Sequence, residues 1–222
     1  MKKLKILIVE GNLTSENKNF KDAGIQTHTE SLKESIANYN DNVNYEILNP
    51  SSEDNFNKII VKLESFDGLV WGGSSLNIYN DTPEIKRQIL FMKECFNKVK
   101  NIFAICWGMQ VAVTAAGGVV KKSENGAHIG IARDIKINDA GLKHPIYRDK
   151  KKLFNTPAFN FDEVETIPNG STLLASNPIN KVQGIKFEKG ISKIWGIQYH
   201  PEITYDKMIS LINFRKDRLI NF

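Results

Sequence analysis

The chain is poor in most features that would assign it to a specialised class. It has two cysteines in 222 residues, Cys95 and Cys106, too few for a disulfide framework. No apolar run approaches the ~18 residues of a membrane span, and Met1 to Val9 lacks both a long apolar core and a cleavage site of a secretory leader. A cytoplasmic protein with no membrane partner is expected. No His/Cys/Asp cluster has metal-ligand spacing, so neither a metal nor another cofactor is expected. Gly72-Gly73-Ser74-Ser75 lacks the Lys-Ser/Thr pair of a phosphate-binding P-loop. Net charge is +5, yet the lysines are dispersed and only Lys121-Lys122 and Lys150-Lys151-Lys152 cluster. A nucleic-acid partner calls for basic residues gathered on one face with aromatics, so none is expected.

What is present is an ordinary globular composition, 41% hydrophobic and 25% charged, which at this length suits one domain over residues 1–222 with a sizeable core. The most informative stretch is Phe103-Ala104-Ile105-Cys106-Trp107-Gly108-Met109-Gln110-Val111. A short apolar strand ends at Cys106 and a helical pattern starts at once, the pattern of a nucleophile elbow. Ala104 and Gly108 are the small neighbours such a corner needs. The geometry would lift the thiol clear of the sheet and aim the Trp107 amide at whatever Cys106 attacks.

A thiol with an ordinary pKa of about 8.5 needs a base or a positive neighbour. Trp195-Gly196-Ile197-Gln198-Tyr199-His200-Pro201-Glu202 offers one: a strand-like run ends at His200, Pro201 stops the ladder, and Glu202 follows two positions after the imidazole. The carboxylate would orient one ring nitrogen while the other faces the thiol. A lone cysteine is more often a small core residue and a lone histidine a loop residue; the pair at two strand ends favours catalysis. Cys95 reads as a structural thiol, and His128 and His144 as surface residues.

These segments resemble class I, triad-type glutamine amidotransferases, in particular their GMP-synthase-like branch. Ala104-Ile105-Cys106-Trp107-Gly108-Met109-Gln110 is similar to the family's G-x-C-x-G-x-Q, with Ala104 in place of the first glycine, and Gln198-Tyr199-His200-Pro201-Glu202 matches Q-x-H-P-E. Val70-Trp71-Gly72-Gly73-Ser74 is similar to the loop that supplies an oxyanion-hole amide, although the residues alone also allow a plain tight turn. The resemblance implies catalysis by Cys106, His200 and Glu202, an oxyanion hole from Gly73 and Trp107, and substrate contacts at Gly72, Gln110 and Phe161. Phe161 lies in Phe159-Asn160-Phe161-Asp162-Glu163-Val164, which resembles S-H-x-D-x-V with Asn160 replacing the histidine. The implied reaction is glutaminase or amidotransferase chemistry on glutamine through a γ-glutamyl thioester. S-G-G-x-D-S, the pyrophosphatase loop of a complete GMP synthase, is absent, so the ammonia would serve a separate synthetase partner. The alternatives are a stand-alone hydrolase of γ-glutamyl amides or peptides and a catalytically silent binding module. A rival elbow family with A-I-C-x-G places its histidine directly after the cysteine, where this chain has Trp107.

The expected fold is a flavodoxin-like, mostly parallel sheet flanked by helices, with an added antiparallel section. Strands are read at Lys5 to Val9, Tyr45 to Leu48, Leu69 to Trp71 and Asn101 to Ile105, then in succession from Gly118, Ile129, Thr172, Val182 and Ile191. Helices are read from the capping-box pattern Ser31-Leu32-Lys33-Glu34, from Thr82-Pro83-Glu84, from Gly108 to Ala116, and from Tyr205 to Leu219. The polar stretch between Gly11 and Glu30 reads as a surface loop or a lid above the first strand.

Overall fold

The computed structural model describes residues 3–220, the side chains of 53–55 and 218 excepted. Its main sheet has nine strands: β1 (Leu4–Val9), β2 (Val43–Leu48), β3 (Gly68–Trp71), β4 (Asn101–Ile105), β6 (His128–Ile137), β7 (Leu153–Asn160), β9 (Thr172–Ser176), β10 (Gly184–Lys189) and β11 (Ser192–Ile197). Their order is β2-β1-β3-β4-β11-β10-β9-β6-β7. The first five are parallel, in the 2-1-3-4-5 order of a flavodoxin-like sheet, with β11 as the fifth member. From β11 onward every pairing is antiparallel. A separate ribbon pairs β5 (Val119–Lys122) with β8 (Asp162–Thr166). The helices are α1 (Thr14–Asp22), α2 (His28–Tyr39), α3 (Glu53–Ile60), α4 (Pro83–Phe96), α5 (Trp107–Ala115), α6 (Asp139–Leu142), α7 (Tyr205–Phe214) and α8 (Lys216–Ile220). Among the described residues no helix is long and apolar enough to cross a membrane.

The parallel strands are apolar on both faces because each face is covered. Successive residues point to opposite sides, so Leu7 and Val9 of β1, with Ile102 and Ala104 of β4, pack in the core that also holds Phe91, Met92 and Cys95 of α4. Ile8 and Ile105 face the other core, with Leu32 of α2 and Tyr147. A third, smaller cluster joins Phe20 of α1 to Met208 and Leu211 of α7. Cys95 is fully buried, as its structural reading requires, and burial pushes its thiol well above the usual range.

Several boundaries differ from the sequence reading for identifiable reasons. The capping box of α2 is Thr27 with Glu30, one turn before the Ser31/Glu34 pattern. The stretch from Gly11 to Glu30 is not a loop: it holds α1, which buries only Phe20, and the first turn of α2. An amphipathic stripe one residue wide leaves almost no periodic signal. Pro157 hides β7 in the sequence, yet an edge strand tolerates it because one side of its backbone has no ladder partner.

Candidate active site

The four loops that follow β1, β3, β4 and β11 meet at the carboxyl edge of the parallel sheet, where open α/β sheets bind ligands. The β4–α5 corner is as tight as the sequence suggests. Cys106 takes φ 52° and ψ −105°, a left-handed conformation that costs a non-glycine residue roughly 1–3 kcal/mol. The corner is held on both sides: the Cys106 N–H donates to Ile197 O at 2.7 Å, and the Gln110 N–H donates to Cys106 O at 3.1 Å. Gly108 has no room for a side chain. A Cβ there would lie 2.5 Å from the Trp71 carbonyl oxygen and 2.8 Å from Trp71 Cβ. Its N–H instead donates to Gly72 O at 3.1 Å, which ties the glycine loop to the elbow and makes Gly73 and Trp107 neighbours across that bond. The Gly72 amide is engaged by Val9 O at 3.3 Å, whereas the Trp107 amide heads α5, where N–H groups have no acceptor within the helix. The Trp107 indole is sealed below the corner, donating from Nε1 to Gln88 Oε1 at 2.7 Å.

His200 enters just beyond β11. Since β4 and β11 pair in register, with Ile105 opposite Ile197, the ends of the two strands deliver Cys106 and His200 to one place. His200 Nδ1 donates to Glu202 Oε1 at 2.7 Å, both side chains being buried, and the Cys106 sulfur is near enough to act electrostatically on the ring. Burial opposes a charge on this imidazole, but the Glu202 carboxylate and the Cys106 sulfur outweigh it and raise its pKa to about 10. The sulfur also accepts from Gln198 Nε2 at 3.4 Å, and Gln198 Oε1 accepts from Gln110 Nε2 at 3.4 Å.

The antiparallel extension curls back to the site. Pro157 O of β7 accepts from the His200 N–H at 2.9 Å, and Phe159 O lies 4.0 Å from Cys106 Sγ. Cys106, Trp107, Gln110, Phe161, Asp162 and Arg215 border a cavity of about 30 Å³, together with the residues that follow Gly73. Gln110 and Phe161 border this cavity, while Gly72 supports the loop from behind through its two backbone bonds.

Three residues of the site carry no signal in the sequence, or a misleading one. His28, the first residue of α2, is buried, and its ring stacks on His200 with centroids 5.7 Å apart. Its donor atom lies within 4.8 Å of donors on His200 and Glu202, a grouping of metal-ligand types that sequence spacing does not reveal, although His200 Nδ1 is already bonded to Glu202. Arg215 at the end of α7 borders the cavity with its guanidinium between the rings of Phe20 and Phe159. His128, read as a surface residue, is buried: Nδ1 pairs with Asn160 Oδ1 at 3.2 Å and Nε2 with Asn177 at 2.9 Å. Asn160, in the place of the family's histidine, borders the cavity and ties it to a polar network with His128 and Asn180.

Comparison with known proteins points to one family. Residues 21–215 match the family described as Glutamine amidotransferase class-I. The chain is 33% identical over 207 residues to a γ-glutamyl-L-1-hydroxyisopropylamide hydrolase of a Pseudomonas species, covering 92% of this chain and 69% of that protein. It is 28% identical over 161 residues to one subunit of the glutamine-hydrolysing GMP synthase of Methanococcus vannielii, covering 67% and 82% respectively. The crystal structure of a glutamine amidotransferase from Thermotoga maritima shares the fold, with a TM-score of 0.72 at 18% identity over 98% of this chain and 84% of that one. With the elbow, the glycine loop and the His-Pro-Glu segment all inside the matched region, the chain belongs to the class I glutamine amidotransferase family.

Proposed function

We propose that residues 1–222 form one amidase domain that cleaves the γ-carboxamide of γ-glutamyl compounds through a thioester on Cys106. The observation that carries this reading is that paired strands β4 and β11 bring Cys106 and His200 to one place, with the His200 ring bonded to the Glu202 carboxylate. A protonated imidazole is the positive neighbour that a nucleophilic sulfur needs. The thiolate adds to the γ-carbonyl carbon, and the amides of Gly73 and Trp107 receive the oxyanion. Removing one donor of this kind typically costs ~10²–10³ in rate. As the C–N bond breaks, His200 gives its proton to the departing nitrogen. It then takes a proton from water, whose oxygen displaces the sulfur and releases glutamate. Glu202 keeps the ring in the tautomer and orientation that both half-reactions need.

Glutamine is the simplest compound of this class, and two fates of its nitrogen are compatible with the site. Hydrolysis without a partner is supported by the similarity to the γ-glutamyl amide hydrolase along most of the chain. Service to a separate synthetase chain is supported by the similarity to the GMP synthase subunit of Methanococcus vannielii. The test is intact-mass detection of a γ-glutamyl enzyme with glutamine and with γ-glutamyl amines, on wild type and Cys106→Ala. An adduct confined to wild type is expected; turnover by a folded Cys106→Ala protein would refute the assignment. Full glutaminase activity in the isolated chain favours the hydrolase, and strong activation by an added synthetase favours the amidotransferase.

A further inference from the structure

His200 needs more than one partner to do what the amidase reading asks of it. The bond from Nδ1 to Glu202 Oε1 holds one point of the ring and leaves Nε2 for the chemistry, but a ring held at one atom can still roll about that bond. A reacting group displaced by about 1 Å costs on the order of 10² in rate, and such a roll displaces Nε2. What fixes the plane of a ring is contact with its face.

His28 supplies that contact. Its ring lies 20° from parallel to that of His200, with centroids 5.7 Å apart, and the Phe20 ring adjoins it at 5.9 Å. Both imidazoles rest on the glycine loop: a Cβ built on Gly73 would lie 2.8 Å from His200 Cε1 and 3.1 Å from His28 Cε1. Nδ1 of His28 is buried without a hydrogen-bond partner, so no bond through that nitrogen competes with the face contact. The backbone that carries His28 is itself pinned. His28 opens α2 directly after Thr27, whose capping box with Glu30 closes the helix end. Lys207 of α7 donates to Thr27 O at 3.2 Å and bonds the Ser31 hydroxyl. Thr29 Oγ1 donates to Glu10 Oε2 at 3.2 Å, and Ser35 Oγ donates to Glu202 O at 3.5 Å. The first turns of α2 are thus tied to the end of β1, to α7 and to the segment that bears the carboxylate.

We propose that His28 is a positioning residue for His200: its ring face fixes the plane of the neighbouring imidazole, so that Nε2 keeps its aim at the departing nitrogen. This rests on the amidase reading above. His28 touches no reacting atom and moves no proton; it acts through His200 alone.

The test pairs γ-glutamyl methylamide, whose leaving nitrogen needs a proton to depart, with γ-glutamyl para-nitroanilide, whose weakly basic nitrogen depends on that proton far less. In His28→Leu, which fills the space without a flat face, kcat/KM should fall by about 10–10²-fold on the methylamide and by no more than about threefold on the anilide, with KM little changed. His28→Phe, which restores a flat face, should retain both rates within about threefold of wild type. Equal losses on the two substrates in His28→Leu, or a loss in His28→Phe matching that in His28→Leu, overturn the inference. A second measurement needs no substrate. The low-field proton signal of His200 Nδ1–H, assigned by its absence in His200→Asn, should be sharp in wild type and His28→Phe and broadened or lost in His28→Leu. An equally sharp signal in His28→Leu overturns the inference, and loss of the signal in His28→Phe overturns it even where His28→Leu does not fold. Failure of wild type to form a γ-glutamyl thioester is a different result: the amidase reading then falls, while the proton signal still reports whether His28 holds the ring.

Discussion

The imidazole of His28 lies on the imidazole of His200, with ring centroids 5.7 Å apart and planes 20° from parallel. Two rings in this contact do not both carry a proton readily. The pair is resolved in favour of His200, which has Glu202 as its partner. Burial first, then the charges of His200, Lys207 and Arg215, hold His28 well below its ordinary value of 6.5.

That asymmetry sets the acid response. A histidine kept neutral in the folded state but free to protonate when unfolded contributes stability above its unfolded value, 6.5, that is lost as the pH falls below it. The melting temperature of wild type should therefore drop more steeply from about pH 7 to about pH 5 than that of His28→Gln. Parallel curves for the two proteins would count against a neutral His28.

His200 produces the opposite slope. Its folded pKa is raised from 6.5 to about 10, so the stabilisation it gains from Glu202 and Cys106 is complete below pH 6.5 and is lost as the pH rises through about 10. Thermal melts taken across that window should show wild type declining toward His200→Asn. A constant gap between the two would mean that the imidazole carries no charge in the folded protein.

The strained corner predicts a stability gain from a lethal change. Glycine adopts φ 52° without the penalty that cysteine or alanine bears, offset in part by the larger entropy of its unfolded chain. Cys106→Gly should melt about 2–4 °C above Cys106→Ala, and neither should turn over. Equal melting temperatures would show that the surrounding bonds, not the residue, set the conformation.

Gly108→Ala should act in the reverse sense. The new methyl group meets the backbone oxygen of Trp71, which cannot swing aside as a side-chain tip would. Overpacking of this kind costs about 1–3 kcal/mol, more than the roughly 1 kcal/mol of helix propensity that alanine adds. Differential scanning calorimetry should record a lower melting temperature, with the glutaminase rate falling as Gly73 and Trp107 separate. A variant at least as stable as wild type would disprove the close approach.

The parts of this site visible in the sequence are those built from local grammar. Cys106 closes a short apolar run and His200 a strand-like one, and Pro201 and Gly108 mark where those runs must stop, so the two strand ends can be placed without coordinates. His28 cannot. Two Ser/Thr-x-x-Glu patterns lie one turn apart, at Thr27 and Ser31, and the apolar positions that follow suit either. What decides between them is tertiary: Thr29 reaches Glu10 on the end of β1, and His28 packs on His200. Arg215 is invisible for a related reason. At the end of an amphipathic helix a basic residue normally complements the helix dipole, and only the arrival of Phe20 and Phe159 from distant segments encloses it. His128 reads as a surface residue because nothing near it in sequence announces Asn160 and Asn177 as partners.

The return of β7 to the elbow makes the sheet roll partly closed, so one wall of the reaction chamber hangs from the far rim of the ladder. Pro157 and Phe159 reach Cys106 and His200 only by way of β6, β9 and β10, each seated on the next. A one-rung slip anywhere along that relay reverses which side chains face inward and shifts the wall relative to the sulfur. Turnover is thus a gauge of alignment across the whole antiparallel half, and lesions far from the chemistry will silence it while the parallel half still stands.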